Sequence, residues 1–162
     1  MQNAKDTFYV SLRDRLAVLN AGRVVVLRGS TRPAVVAVEN ELESRAAEPL
    51  DAFLLRWTRH ASDCTEPMPL DSAQCEIRYR TRGTAEMAGM DRGRTLAALD
   101  AELSSLLLPA RAAKQNFSTD PVMAMATNIF WSTPEFGPAT LEDGTLWRAV
   151  TVTVFAPREA GE

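Results

Sequence analysis

The segment Leu146–Phe155, LWRAVTVTVF, followed closely by Pro157, decides the fold of this chain. It is rich in β-branched and aromatic residues, which favour extended structure. Its apolar side chains recur with a period of two, whereas an α-helix would spread the three valines around its circumference. One face carries Leu146, Arg148, Val150, Val152 and Val154, and the other carries Trp147, Ala149, Thr151, Thr153 and Phe155. The segment predicts a long strand with two apolar faces, and both faces need cover.

The segment just before this strand predicts its hairpin partner. Met123–Ser132 is a second β-rich run, and the connection Thr133–Thr145 contains two prolines and Asp143-Gly144, which are typical of turns. Upstream, residues 110–122 have no regular period and predict an irregular connection. We therefore expect the two runs to pair as an antiparallel hairpin.

Two further strands are predicted in the middle of the chain. Ala52–His60 alternates around Phe53, Leu55 and Trp57. Ala73–Arg82 alternates more strictly, with one face formed by Cys75, Ile77, Tyr79 and Thr81 and the other by Glu76, Arg78, Arg80 and Arg82. An antiparallel pair with one face on the core and one in water is the economical arrangement.

Two segments have the 3.6-residue period of amphipathic helices. Thr7–Leu19 places Phe8, Leu12, Leu16 and Leu19 on one stripe, with Asp6 as a plausible N-cap. Asp91–Leu107 has a leucine stripe and ends before Pro109. Between the first helix and the middle strands, Arg23–Leu27 and Ala34–Glu39 predict a hairpin around a turn at residues 28–33.

The predicted order is one helix, four strands, one helix and two strands, written αββββαββ. This order predicts a single α+β domain over residues 1–162, with about six strands in a largely antiparallel or mixed sheet and both helices on one face. Residues 1–5 and 158–162 are expected to be flexible tails. A chain of 162 residues that is 46% hydrophobic can bury a core without metals or disulfides.

The sequence contains no recognisable catalytic motif. His60 is the only histidine and has no second ligand at metal-binding spacing, and neither a glycine-rich phosphate loop nor a nucleophile elbow occurs. We predict no enzyme activity, no cofactor and no metal. Cys64 and Cys75 are expected to be reduced thiols. Neither a signal peptide nor a membrane-spanning run is recognised, so the sequence predicts a cytoplasmic protein with no membrane partner.

The charged residues suggest a candidate interaction surface. If the middle strands pair as predicted, Arg56 and His60 share a side with Arg78, Arg80 and Arg82, and an acidic segment at residues 39–51 includes Glu41, Glu43 and Glu48. The basic face has two interpretations: an ordinary solvated sheet face, or a contact surface for an acidic partner. The partner could be the acidic segment of a neighbouring copy or a nucleic acid backbone, and the net charge of −3 makes nucleic acid the less favoured of the two.

The order of elements resembles the tail terminator and tail-completion proteins of long-tailed phages, a family that includes the lambda-type minor tail proteins. The similar features are an N-terminal helix, a proline-led apolar run at Arg32–Val38, a central strand at Gln74–Tyr79, a helix at Asp91–Leu107 and a closing hairpin that ends on Leu146–Phe155. Relative to the lambda-type member, this chain is longer at residues 39–71 and 133–145.

The resemblance implies a non-enzymatic phage or prophage protein that forms a hexameric ring and caps the tail tube or joins it to the connector. It would act as a homo-oligomer and a virion component, with tail-tube or head–tail connector proteins as partners. An alternative is a small-molecule-binding or enzymatic α+β domain, whose pocket between sheet and helices would be lined by Trp57, Tyr79, Trp131 and Trp147.

Overall fold

The structure of the chain, a computed structural model, describes residues 1–42, 47–65 and 68–159. The helices are α1 (Gln2–Leu19), α2 (Val38–Glu41) and α3 (Arg92–Leu106). The strands are β1 (Val24–Leu27), β2 (Ser30–Pro33), β3 (Val35–Ala37), β4 (Phe53–Asp63), β5 (Leu70–Thr81), β6 (Arg111–Asn116), β7 (Met123–Trp131), β8 (Glu135–Phe136), β9 (Thr140–Glu142) and β10 (Thr145–Pro157).

The closing strand β10 lies at the centre of the main sheet. The sheet order is β3-β4-β5-β10-β7-β6, and the short strands β8 and β9 also pair with β10. β10 and β5 are antiparallel over their whole length, from Leu146 opposite Thr81 to Pro157 opposite Leu70. β3 and β4 are parallel, and the other neighbours are antiparallel. The predicted α+β class with a mostly antiparallel, mixed sheet is therefore confirmed.

Both long helices cover the same face of this sheet, here called the inner face. α1 packs on β3, β6 and β10, and α3 packs on β5 and β10. Phe8 is fully buried between two tryptophans, with its ring centroid 5.2 Å from that of Trp131 and 5.9 Å from that of Trp57. Edge-to-face aromatic contacts of this kind add to the hydrophobic gain of burial. Val150, Val152 and Val154 are fully buried in the same core, as their spacing predicted.

Helix α1 starts earlier than its sequence pattern indicated. It begins at Gln2, so Asp6 lies inside the helix and accepts a hydrogen bond from the Gln2 side chain rather than capping the N-terminus. Ala4 is fully buried and extends the stripe of Phe8, Leu12 and Leu16 by one turn. The prediction of a flexible tail through residue 5 is therefore wrong. Leu19, expected on this stripe, is 52% exposed.

The predicted hairpin uses a tighter turn than expected. Arg28 and Gly29 have φ values of 50° and 76°, the conformation of a two-residue type I′ turn. Because the turn is so short, β1 pairs with β2 in a separate two-stranded sheet. Residues 35–37, expected to be the return strand, instead form β3 and join the main sheet beside β4. The connection 110–122, expected to be irregular, contains strand β6.

The end of the described chain is fixed rather than free. The Arg158 guanidinium binds Asp71 on β5, with nitrogen–oxygen distances of 2.6 and 3.2 Å. Glu159 accepts hydrogen bonds from the backbone and hydroxyl of Thr127 on β7, at 2.8 and 2.6 Å. The tail prediction is wrong for these two residues, and residues 160–162 lie outside the described ranges.

Candidate interaction surface

The face of the sheet opposite the helices, here called the outer face, carries no helix among the described residues. The antiparallel register places Trp147 beside Arg80, Ala149 beside Arg78 and Phe155 beside Phe130 on this face. Phe130 and Phe155 stack with their ring centroids 5.3 Å apart, and Phe130 is 42% exposed. Trp147 and Phe155 are half-buried. The outer face thus combines aromatic and charged side chains.

Three of the predicted arginines share this face. Arg56 lies opposite Glu76 in the β4–β5 register and is exposed. The Arg78 guanidinium carbon lies 4.3 Å from the Trp147 ring centroid, within the range of a cation–π interaction. Arg80 donates a hydrogen bond to the backbone carbonyl of Glu48, and this contact holds the segment before β4 against the sheet.

A β-bulge changes which residues of β4 complete this cluster. The register shifts between Trp57 and Arg59, and a bulge adds one residue to one strand of a pair. Beyond the shift, Arg59 lies opposite Gln74 on the outer face, whereas His60 lies opposite the buried Ala73 and therefore faces the other side. The prediction that His60 shares a face with Arg56 and Arg78 is wrong. We call Arg56, Arg59, Arg78 and Arg80 the arginine surface.

Arg82 lies apart from the arginine surface. It follows the last residue of β5, and the next residue, Gly83, has a φ of 75° that turns the chain away from the strand. Arg82 borders an open cleft of about 470 Å³ that Arg92 and Asp143 also line.

Within the predicted acidic segment, the Glu41 carboxylate is bound within its own chain. Glu41 pairs with Arg32 at 2.6 Å and accepts hydrogen bonds from the Tyr9 hydroxyl at 2.9 Å and the Ala37 amide at 2.7 Å. Burial, together with the hydrogen bond to Glu41, raises the pKa of Tyr9. Glu48 contributes its carbonyl to Arg80. Glu43 lies outside the described residues. Because Glu41 already has three partners, it is not free to bind a neighbouring copy.

A different acidic element lies on the other edge of β10. We call residues Thr133–Thr145 the acidic tongue. Its strands β8 and β9 pair with β10, which places Glu135 opposite Thr151 and Glu142 opposite Thr145. Glu135, Glu142 and Asp143 are all exposed, as are Phe136 (37%) and Leu141 (63%). In the sequence this element was predicted only as a hairpin connection, although three acids without a single Lys or Arg were a visible signal.

The four aromatic residues of the alternative hypothesis do not line one pocket. Trp131 is buried and donates from Nε1 to the Leu107 carbonyl at 2.9 Å. Trp57 packs edge-to-face on Phe8. Tyr79 is buried and donates to Asp100 of α3, while Trp147 lies on the outer face beneath Arg78. Trp57, Tyr79 and Trp131 therefore pack in or against the core, whereas Trp147 lies on the outer face.

The described part of the chain contains no group of three or more His, Cys, Asp or Glu residues placed to hold a metal ion. Within the same ranges, every helix is too short or too polar to cross a lipid bilayer.

The two cysteines give a direct test of the core. Both are free thiols: Cys64 is exposed, and Cys75 is fully buried on β5. Burial raises the pKa of Cys75 well above its ordinary value, so this thiol stays protonated and unreactive in the folded chain.

We expect a thiol-specific chromogenic reagent to label Cys64 rapidly and Cys75 only when denaturant unfolds the protein. Without denaturant, rapid labelling of both thiols of the wild-type protein, or of the single thiol of Cys64→Ser, would contradict the placement of Cys75.

No protein-family model matches this chain, and no curated protein matches its sequence. Among solved structures, it is similar to a chain of the "Virion of native gene transfer agent (GTA) particle". The alignment covers 95% of this chain and 96% of that chain, with 16% sequence identity and a TM-score of 0.37.

Proposed function

We propose that this chain is a non-enzymatic assembly subunit of the phage tail terminator type, which forms a closed ring with copies of itself and caps or completes a tail tube. The observation that carries the proposal is the outer face of the main sheet. It presents Trp147, Phe155 and Phe130 to the surface, and exposed aromatic and arginine side chains are enriched at protein interfaces.

A second exposed apolar region supports a role in assembly with more than one partner. A groove of about 500 Å³ lies between the C-terminal ends of α1 and α3. Val18 is 89% exposed there and Leu108 is 69% exposed. Apolar patches of this kind commonly mark protein contacts. A subunit that binds its own copies through one surface and a tail-tube or connector protein through another would use both regions.

The oligomeric mass tests the proposal directly. We expect light scattering coupled to size-exclusion chromatography to give a mass several times the monomer mass of 17.8 kDa at high protein concentration. Negative-stain electron microscopy of that fraction should show closed rings. A monomer over the whole accessible concentration range, at low and at moderate salt, would overturn the proposal.

The enzymatic or small-molecule-binding alternative stays a prediction with its own test. A thermal-shift screen against common metabolites would support it by a large and reproducible rise in melting temperature, because a ligand that binds only the folded state stabilises it.

A further inference from the structure

We infer that the acidic tongue of one copy docks on the arginine surface of the next copy, head to tail. This inference rests on the proposed function, because it names the contact that would close the ring. It assigns the arginine surface a partner from within the assembly, and it replaces the predicted acidic segment at residues 39–51, whose Glu41 is already paired in its own chain.

The β4 part of the arginine surface, Arg56 and Arg59, and the acidic tongue lie at opposite edges of the same sheet. Arg56 lies opposite Glu76, which lies opposite Thr151, which in turn lies opposite Glu135. These four residues form one row across β4, β5, β10 and β8. β3 pairs only as far as Leu55, so β4 is the edge strand at Arg56. Three strand spacings separate the ends of the row, about 14 Å.

Opposite edges with different chemistry suit a repeating contact. A heterologous interface joins one patch of each subunit to a different patch of the next, and it closes into a ring when the rotation between subunits allows. Here one edge carries Arg56 and Arg59, with Glu39 hydrogen-bonded to the Trp57 amide beside them, and the other carries Glu135, Glu142 and Asp143. Placing sheets edge to edge brings the Glu135 end of one row to the Arg56 end of the next.

The charges on the two edges are available for such a contact. In the described ranges, no ion pair within the chain involves Arg56, Arg59 or Arg78, and none involves the tongue acids Glu135, Glu142 and Asp143. The tongue contains no Lys or Arg that would neutralise it. Complementary charges of this type fix orientation and partner choice.

The surfaces also have apolar and preorganised parts. Leu141 and Phe136 expose apolar surface beside the tongue acids, so the contact can combine burial with ion pairing. Arg78 is held against Trp147 in the single chain, so this side chain loses less conformational entropy on association. Glu76 lies among the arginines, which favours a protein partner of mixed charge over a polyanion such as nucleic acid.

The experiment reverses the charges on each edge separately and then together. One variant carries Arg56→Glu and Arg59→Glu, and another carries Glu135→Arg and Glu142→Arg. We expect each to raise the dissociation constant of the oligomer at least about tenfold at low salt, because attractive pairs become repulsive. The effect should shrink in high salt. The chain with all four substitutions, and an equimolar mixture of the two variants, should recover the wild-type mass.

Matched controls use exposed residues away from both surfaces. Arg111→Glu on β6 and Asp120→Arg in the loop between β6 and β7 each change the net charge by the same amount and sign as one substitution on the corresponding surface, and they should leave association unchanged. Circular dichroism and thermal melts of all variants test whether they fold. Because the substituted side chains are exposed, we expect little change in melting temperature.

A cross-linking experiment separates the head-to-tail arrangement from a two-fold one. In a Cys64→Ser background, the exposed Thr58 and Phe136, which lie beside the Arg56 and Glu135 ends of the row, are replaced (Thr58→Cys, Phe136→Cys) and joined with a short bis-maleimide. Head-to-tail contact gives a ladder of covalent species beyond the dimer, whereas a two-fold contact stops at the dimer and overturns the inference. If the wild-type protein forms a ring but neither charge variant weakens it, the inference fails and the proposed function stands. If no ring forms at all, the proposed function itself fails.

Discussion

Replacing Arg158 with alanine is expected to lower the free energy of unfolding by about 3 kcal/mol, because it leaves a buried carboxylate without its main cation. The Asp71 side chain is only 3% exposed, and both of its oxygens accept hydrogen bonds from Arg158. After the substitution, Ser62 would still donate to Asp71 at 2.6 Å, and the Met1 amino group lies 3.9 Å away. Neither contact replaces the two charge-assisted hydrogen bonds that the Arg158 guanidinium donates to Asp71.

Urea denaturation of four proteins measures this effect as a double-mutant cycle: wild type, Arg158→Ala, Asp71→Asn and the double variant. We expect the double variant to be more stable than Arg158→Ala alone, since it buries no unpaired charge. Equal stability of wild type and Arg158→Ala would contradict the placement of the C-terminal residues. Arg158→Lys serves as the matched control, because it keeps the charge but loses the two-pronged geometry.

The same pair gives a pH dependence with a defined sign. Burial alone would raise the pKa of Asp71, but hydrogen bonds from Arg158 and Ser62 and the charge of Arg158 outweigh burial and hold it below the ordinary value of 3.8. Because the folded-state pKa is the lower one, the stabilisation is present above about pH 4 and is lost as the pH falls below that value. We expect the stability of Arg158→Ala to fall less steeply with acid than that of wild type.

The strands and their faces could be predicted because burial on one side imposes a period of two. β5 alternates between buried and half-buried residues along its whole length, and its buried residues include Cys75, Ile77 and Tyr79, as its pattern indicated. The stripe of Phe8, Leu12 and Leu16 on α1 was equally readable. In these elements the local pattern of apolar and polar residues favours the same arrangement as the final packing, so the sequence signal is strong.

The site was predicted less well because one backbone irregularity reverses the side-chain order. The bulge between Trp57 and Arg59 moves His60 off the outer face and puts Arg59 in its place. No glycine or proline marks this position in the sequence. The bulge is a property of the pairing between two strands, so the sequence of β4 alone does not specify it.

Whether an acidic residue has a partner within the chain depends on contacts between segments that are distant in sequence. Glu41 is paired because the turn at Arg28-Gly29 brings Arg32 to it and because α1 places Tyr9 beside it. The tongue acids have no ion-pair partner among the described residues, because β8 and β9 hold them on the edge of β10. Composition shows where acids occur along the chain, whereas only the fold decides which of them stay free to bind a partner.

Replacing Asp100 with alanine is expected to cost about 2–3 kcal/mol, because one carboxylate of α3 serves two strands of the sheet. It accepts a hydrogen bond from the buried Tyr79 hydroxyl on β5 and pairs with Arg148 on β10 at 2.5 Å. Tyr79 and Arg148 lie opposite each other in the register. The Asp100 and Arg148 side chains are each less than a quarter exposed, so water compensates their loss only in part.

Asp100→Asn separates the two contributions, since the amide oxygen still accepts a hydrogen bond but carries no charge. We expect it to fall between Asp100→Ala and wild type in urea denaturation. Asp14→Ala is the matched surface control: Asp14 pairs with Arg13 but is 62% exposed, so its loss should change stability by less than about 1 kcal/mol. Equal effects of Asp100→Ala and Asp14→Ala would show that Asp100 does not couple α3 to the sheet.

A pH titration of tyrosine absorbance tests the hydrogen bond between Tyr79 and Asp100 independently of stability. Burial raises the pKa of Tyr79 above its ordinary value of 10.0, and the hydrogen bond to Asp100 raises it further. The raised pKa contributes stability that is present below about pH 10 and is lost as the pH rises further. In Asp100→Ala we expect Tyr79 to ionise at lower pH than in wild type. Because β5 and β10 also carry Arg78 and Trp147 on their outer face, Asp100 supports from the inner face the strands that present the arginine surface.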